Sequence, residues 1–327
     1  MKLRRVTRGD AIKVQAKSKR RWIDLERAKG VADMIYAKTP GESVIDIIKV
    51  LSLSTHQLEN LQSQLDQLDA IEDEKETATL PFKPASFRDF MLYEQHVIDA
   101  SRGYVKRFMP SLYPVTKLVE RLTGKSFKKF RPHPLWYKQP IYYLSNHLNI
   151  GISGDEIAWP AYTQALDYEL EMGAVLSKPL FNASPEEARA AIGGFVVLND
   201  FSARDVQKDE MESGFGPQKA KHFVSTISTV VVSADEILPH INDLKASVLI
   251  NGENVAQCHS NGMFHDLGQA ISFASKDEQL HPGELFGTGT LPGGGGMENG
   301  HWLSPGDEIS LQIERIGELI NTIKGPV

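Results

Sequence analysis

"LDYELEMGAVL", residues 166–176, decides how the chain is read. Set out as a strand, it places Asp167, Glu169 and Glu171 on one face, because strand side chains alternate with period 2. Leu166, Tyr168, Leu170 and Met172 take the other face. Ala174, Val175 and Leu176 then make both faces apolar, as in a strand that enters a core. Aligned carboxylates on such a strand have two explanations. Either the face is solvated, the ordinary case, or the carboxylates hold a cation.

Composition narrows the field. At 327 residues, 41% hydrophobic and 24% charged, the chain can bury a sizeable core as one large domain or as a main domain with an appendage. Its net charge of −6 argues against nucleic acid as a bulk partner. Lys2, Arg4, Arg5, Arg8, Lys13, Lys17, Lys19, Arg20 and Arg21 nevertheless crowd the N-terminus, interleaved with apolar residues. That reads as an edge hairpin with basic outer positions, with an anion-binding arm as the alternative. There is no apolar run of membrane-spanning length and no signal-peptide core, so neither a membrane nor export is expected. Cys258 is the single cysteine, which excludes a disulfide framework and a thiolate metal cage and suits the reducing cytoplasm.

Residues 43–52 and 54–73 read as helices; in the second, Leu58, Leu61, Leu65 and Leu68 recur at helical spacing. The polar run "EDEKETAT" before Pro81 and Pro84 suggests a boundary between a small N-terminal domain, residues 1–80, and a larger one, residues 85–327. The larger part is β-rich with short helices, an α+β class. "SPEEARAAIGG" signals a helix with Ser184 as N-cap, Pro185 at the first position, Glu187 closing a capping box and glycine as the stop. Ser202 and Asp205 in "SARDVQ" stand at the same capping-box spacing.

Several catalytic signatures are absent: the serine-hydrolase elbow, the H-E-x-x-H zinc helix, the P-loop and the dinucleotide fingerprint. Cys258 and His259 adjoin in sequence, but neighbours on a strand face opposite ways. What remains is acidic. Glu169 and Glu171 share a strand face, Asp200 ends the apolar strand "FVVLND", and Asp89 lies between aromatics in "SFRDF". Four carboxylates without histidine or cysteine ligands suit a hard cation, Mg²⁺ or Ca²⁺ with Mn²⁺ also accommodated. If "SARDVQ" turns helically, Arg204 and Gln207 share a face at i, i+3 and aim a cation and an amide at a nearby ligand. Lys221, after the "GFGPQKAK" loop, offers a second positive group, and His96 follows Asp89 by seven residues. Spacing alone does not bring these groups together.

The motifs carry a resemblance. "SFRDFMLYEQH", "LDYELEMGAVL", "GFVVLNDFSARDVQ", "GPQKAKHF", "VLINGE" and "HPGELFGTGT" occur in the order seen in the fumarylacetoacetate hydrolase family, from about residue 85 to the end. The resemblance favours the cation. It implies a mixed β-roll or β-sandwich catalytic domain behind a small N-terminal α/β domain, as a homodimer. It implies that Asp89, Glu169, Glu171 and Asp200 bind the metal and that Arg204, Gln207, Lys221 and Thr288 contact a small oxo-acid substrate. His96 matches the histidine that activates water, and Glu298, in "GGGGMEN", the glutamate that orients it. The implied activity is metal-dependent hydrolysis of a C–C bond in a 1,3-dicarbonyl acid of the fumarylacetoacetate or acylpyruvate type. Decarboxylation, isomerisation or dehydration of 2-oxo acids is the related reading, and a non-catalytic oxo-acid-binding protein a third. Two departures stand out: Met91 replaces a tyrosine of the animal enzyme, and Thr229 a proline. Residues 98–140 look helical and fit a variable cover over the site.

Overall fold

The computed structural model describes residues 1–19, 21–28, 45–68 and 75–325. Its frame is a twelve-stranded sheet whose central members are Val230–Ser233, Ile192–Asn199, Leu170–Leu176, Leu285–Gly287 and Phe87–Phe90, in that spatial order. The neighbours are antiparallel except the last pair, which runs parallel with Gly287 opposite Asp89. A second sheet of five strands, Glu253–His259, Lys245–Ile250, Glu308–Ile313, Gly317–Lys324 and Glu156–Ala158, packs its apolar face toward the first.

Both central strands are buried along their whole length, and alternation splits them between two cores. Met172, Ala174, Leu176, Phe195 and Val197 join a cluster with the five-stranded sheet and the helices Pro185–Ala191 and Leu267–Ala274. Val175, Val196 and Leu198 face the other way, into a cluster with the N-terminal strands and with Leu58, Leu61 and Leu65. A sheet covered on both sides needs apolar residues at successive positions, which is why these segments read as continuous runs.

The N-terminal hairpin, Lys2–Arg8 and Ala11–Ser18, extends the same sheet: Leu3 lies opposite Val231 on one side and Ala16 on the other. Its basic residues meet acids within the fold. Arg4 reaches Glu76 at 2.7 Å, Arg8 reaches Asp24 at 2.9 Å and Lys13 reaches Glu26 at 2.9 Å; Arg20 lies outside the described residues. Of the two expected helices, the described parts are Ile47–Leu51, capped by Asp46, and Thr55–Leu65, capped by a Ser54–Gln57 box. Residues 43–44 and 69–73 of those expectations lie outside the described residues. No helix among the described residues is long and apolar enough to cross a membrane.

Three local expectations need correction. The 166–176 stretch is two strands, because Leu166–Asp167 pairs with Ser202–Ala203 while Leu170–Leu176 joins the main sheet. The helix Pro185–Ala191 has the expected Ser184 box, but no glycine stops it; Ile192 turns directly into a strand. Gly193 and Gly194 sit inside that strand, where Ser177 and the Val232 backbone leave no room for a Cβ. The helix Arg204–Glu212 starts after Ala203 without a side-chain cap. Ser202 bonds Glu169 and the Asp200 carbonyl instead, and Asp205 accepts from Thr163 and the Gln164 N–H.

Phe286, fully buried, stacks on Phe90 at 6.2 Å between the strands that carry Glu171 and Asp89. Phe286→Ala is expected to cost about 3–5 kcal/mol, against about 1 kcal/mol for Ser184→Ala at the helix cap. Urea denaturation of both variants measures this; equal losses would show that the strand between the acids is not a packing centre.

Candidate metal centre and active site

Asp200, Glu171 and Asp89 come from three strands at the same end of the sheet. Asp200 follows Asn199, which lies opposite Leu170 beside Glu171; Asp89 lies opposite Gly287. The strand between Glu171 and Asp89 places glycine where their side chains meet. A Cβ at Gly287 would collide with Asp89 Oδ1 and sit 2.8 Å from Glu171 Oε2. Each of the three acids offers an oxygen within 4.8 Å of the others, and all are buried.

This trio is electrostatically incomplete. At such separations two carboxylates repel by roughly 3 kcal/mol even at an effective dielectric of about 20. Burial, then the neighbouring Asp200, pushes the Asp89 carboxyl well above the ordinary range; burial, then Asp89 and Asp200, does the same to Glu171. Among the described residues Asp89 Oδ1 is buried without a hydrogen-bond partner. An orphaned oxygen among three buried oxygen donors fits a hard divalent cation, which this group could hold.

Glu169, grouped with these ligands in the sequence reading, is turned elsewhere. Its Oε1 accepts from Arg204 at 2.7 Å and its Oε2 from Lys221, which also bonds Asp200. Burial opposes its ionisation, but Arg204, Lys221 and His96 outweigh burial and hold Glu169 well below the usual range. Arg204 also donates from Nε to Asp167 Oδ2 at 2.8 Å and from its guanidinium to Gln207 Oε1 at 2.9 Å. Lys221 and Arg204 are both buried; burial works against their charge, and the acids around them raise their pKa nonetheless.

His96 lies on the helix Glu94–Phe108 with Nε2 3.5 Å from Glu169 Oε1 and Nδ1 3.1 Å from Glu298 Oε2. Burial disfavours the imidazolium, but Glu298 and then Glu169 prevail, so the His96 pKa is raised. Glu298 is fixed by the N–H groups of Gly293 and Gly295, each at 3.0 Å. Gly103, on the same helix as His96, lets that helix close onto the Met297 backbone, where any Cβ would clash.

Thr288, expected at the substrate, is fully buried with its hydroxyl tied to backbone, donating to the Gly289 carbonyl and accepting from the Met172 N–H. Thr290, beyond the end of the strand Leu285–Gly287, lines the cavity instead. Sequence reasoning also missed Tyr143 and Asp167. Tyr143 donates to Asp200 at 2.6 Å, and burial followed by the nearby acids keeps its hydroxyl protonated. Asp167 accepts from Arg204, the Met297 N–H and the Tyr168 N–H, so one carboxylate ties the arginine to the loop carrying Glu298. Its place on the face of Glu169 and Glu171 was the available signal.

These groups open into a cavity of about 990 Å³, lined by Asp89, Glu171, His96, Arg204, Gln207 and Lys221 and continued by apolar residues of the 98–130 segment. Helices Glu94–Phe108 and Tyr113–Thr123 and the turn Lys128–Phe130 line this cavity, whereas residues 131–140 of the expected helical segment 98–140 run as bends and turns.

The sequence profile of the fumarylacetoacetate (FAA) hydrolase C-terminal family matches residues 117–324. Human mitochondrial oxaloacetate tautomerase FAHD2A is 30% identical over 188 residues, which is 57% of this chain and 59% of that protein. The match therefore spans less than two thirds of that relative. Among solved structures, fumarylacetoacetate hydrolase from Exiguobacterium antarcticum superposes with a TM-score of 0.69 at 22% identity, covering 99% of both chains. A 5-carboxymethyl-2-hydroxymuconate delta-isomerase from Mycobacterium smegmatis gives 0.63 at 18% identity, over 99% of this chain and 100% of that one. The named similar proteins are enzymes of more than one reaction type on one fold. With more than half its length inside the profile, the chain belongs to the fumarylacetoacetate hydrolase family.

Proposed function

We propose that the protein is a divalent-metal-dependent hydrolase that cleaves a C–C bond in a 1,3-dicarbonyl acid. The observation that carries this reading is His96 placed between Glu298 and Glu169, 3.1 and 3.5 Å away, at the edge of the cavity. Asp89, Glu171 and Asp200 would hold Mg²⁺ or Ca²⁺, with Glu169 linking them to the cationic side chains. When bound, the ion supplies Lewis-acid polarisation of the substrate's oxygens. Arg204, Lys221 and Gln207 bind and orient the oxo-acid head. Glu298, itself pinned by two backbone N–H groups, favours the proton on His96 Nδ1 and leaves Nε2 to accept one from water. The water oxygen bonds to the distal carbonyl carbon, and the bond to the methylene carbon breaks. Its electron pair delocalises toward the 2-oxo group, where Arg204 and Lys221 offset the charge, and the proton on His96 returns to carbon. For an acylpyruvate the products are a carboxylic acid and a 2-oxo acid.

A second reading is keto–enol tautomerisation, supported by the 30% identical human relative, whose name is oxaloacetate tautomerase. It uses the same head-group contacts and one proton shuttle, without water. Incubating acylpyruvates and oxaloacetate with the Mg²⁺-loaded protein separates the two: carboxylic acid release marks hydrolysis, and a faster enol decay without release marks tautomerisation.

His96→Ala is expected to lower kcat by about 10²–10⁴ with little change in Mn²⁺ affinity; loss of affinity in an equilibrium titration would make His96 a structural support. Gly287→Ala should do the opposite, weakening Mn²⁺ by about tenfold or more through the displaced carboxylates, equivalent to about 1.4 kcal/mol.

Metal binding should also be linked to pH. Asp89 and Glu171 have raised pKa values when folded and metal-free. They bind more protons folded than unfolded, so their contribution is complete below the ordinary carboxylate range and is lost as pH rises through the shifted values. Glu169, shifted down, contributes above that range and is lost only in stronger acid. A cation replaces the protons on Asp89 and Glu171. The Tm difference between Mg²⁺-loaded and chelated protein should therefore be small at about pH 4 and widen steadily toward about pH 8. A difference independent of pH would contradict the ligand set.

A further inference from the structure

The cavity has a direction. His96 sits in the first turn of the helix Glu94–Phe108, and Ala100 and Tyr104 follow on the same face at i+4 and i+8, flanked by Val97, Ser101 and Val105. From His96 to Val105 is nine residues, which at 1.5 Å per residue is about 14 Å of wall leading away from the acids. Met91, Ile141 and Tyr142, together with Met109, Phe127 and Phe130, complete the apolar lining. The charged groups that the head-group chemistry uses all stand at the His96 end. Leu112, Val115 and Met211 line the mouth while remaining 51%, 57% and 53% exposed.

A space of about 990 Å³ is at the upper limit for sites that enclose a whole small molecule. A four-carbon oxo-acid would occupy the charged end and leave the apolar wall wet. Side chains at the mouth that are apolar and still half exposed are what a bound apolar group would cover.

We propose that the substrate carries an apolar tail, an aryl or medium-chain alkyl group, on the acyl side of its dicarbonyl head. The inference rests on the oxo-acid reading above. The head is held by Arg204, Gln207 and Lys221, and the tail lies along Ala100, Tyr104 and Val105 toward the mouth. Met91 is part of this surface: a thioether donates no hydrogen bond and adapts to an irregular apolar group. Lys129 and Lys208, at the cavity's edge, do not make the wall polar, since Lys208 is paired with Glu212 at 2.8 Å and Lys129 is exposed.

The test uses acetyl-, butanoyl-, hexanoyl-, octanoyl- and benzoylpyruvate with the Mg²⁺-loaded full-length protein. Kd is measured by calorimetry on His96→Ala, where turnover does not interfere, and kcat/KM on the wild type. Each methylene buried should tighten binding by up to about fourfold, so hexanoyl- or octanoylpyruvate should bind at least tenfold tighter than acetylpyruvate, with benzoylpyruvate also above it. Ala100→Trp, which fills the wall, should shrink that advantage; Val105→Asn, which makes it polar without adding bulk, should do the same and serves if the first variant fails to fold. A flat series, or tighter binding of acetylpyruvate, overturns the tail while leaving the oxo-acid reading in place. Tail-dependent binding without hydrolysis supports the tail and overturns hydrolysis. No binding by any member overturns both.

Discussion

Five buried carboxylates, Asp89, Asp167, Glu169, Glu171 and Asp200, share one end of the sheet with two permanent cations, Arg204 and Lys221. Five acids against two bases leave an excess of three negative charges in a region from which water is largely excluded. Such an excess is tolerated only if protons or a cation remove it. The structure divides the acids accordingly. Asp167 and Glu169 take the arginine, and Glu169 and Asp200 share the lysine. Among the described residues no cation forms an ion pair with Asp89 or Glu171, the nearby Lys221 being taken by Glu169 and Asp200, and it is these two whose carboxyls are pushed far up. The division marks where a cation does most to relieve the imbalance.

The sheet makes this arrangement possible by covering both faces. Along Leu170–Leu176 one face runs Leu170, Met172, Ala174 and Leu176 into the core shared with the five-stranded sheet. The other starts with Glu171 and continues through Gly173 to Val175 in the second core. The carboxylate stands at the mouth of that second face, and apolar packing behind it keeps the strand from shifting toward solvent. A slip of one residue would exchange the two faces and bury a different set of side chains. The energetic support for the site is thus the large, ordinary packing of the strand interior, which offsets the cost of holding like charges together.

The sequence conveyed more of this than spacing usually does. Asp89, Glu171 and Asp200 were legible because each ends or interrupts an apolar run, where an unpaired carboxylate is costly, and because the ordered motifs resemble those of a known family. Two things stayed hidden. Which of two neighbouring carboxylates turns to the cations depends on the break at Tyr168, and that break arises because Asp167 is drawn to the Met297 and Tyr168 N–H groups and to Arg204. No local pattern announces contacts 37 or 130 residues away. Thr288 and Thr290 differ in the same manner: "FGTGT" offers two threonines of equal promise, and it is the capture of the Thr288 hydroxyl by the Met172 N–H and the Gly289 carbonyl that leaves Thr290 to line the cavity. Ser202 was a plausible cap by spacing, yet the pairing of Ser202–Ala203 with Leu166–Asp167 holds it in a strand.

The helix Glu94–Phe108 joins the chemistry to the recognition surface. Its first turn presents His96 to Glu298 and Glu169, its later turns form the cavity wall, and Gly103 presses its back against the loop that holds Glu298. A group bound along the outer turns therefore bears on the same rigid element that places the imidazole. Binding energy gained there, away from the reacting bond, can hold the head group in its reactive position rather than merely tighten association. On this geometry the acids at the sheet end fix what kind of oxygen-rich head can be held, whereas the helix face fixes how far the remainder of the molecule can extend. The two demands fall on different residues, so the wall can change in size and polarity without disturbing the charge balance that the centre requires.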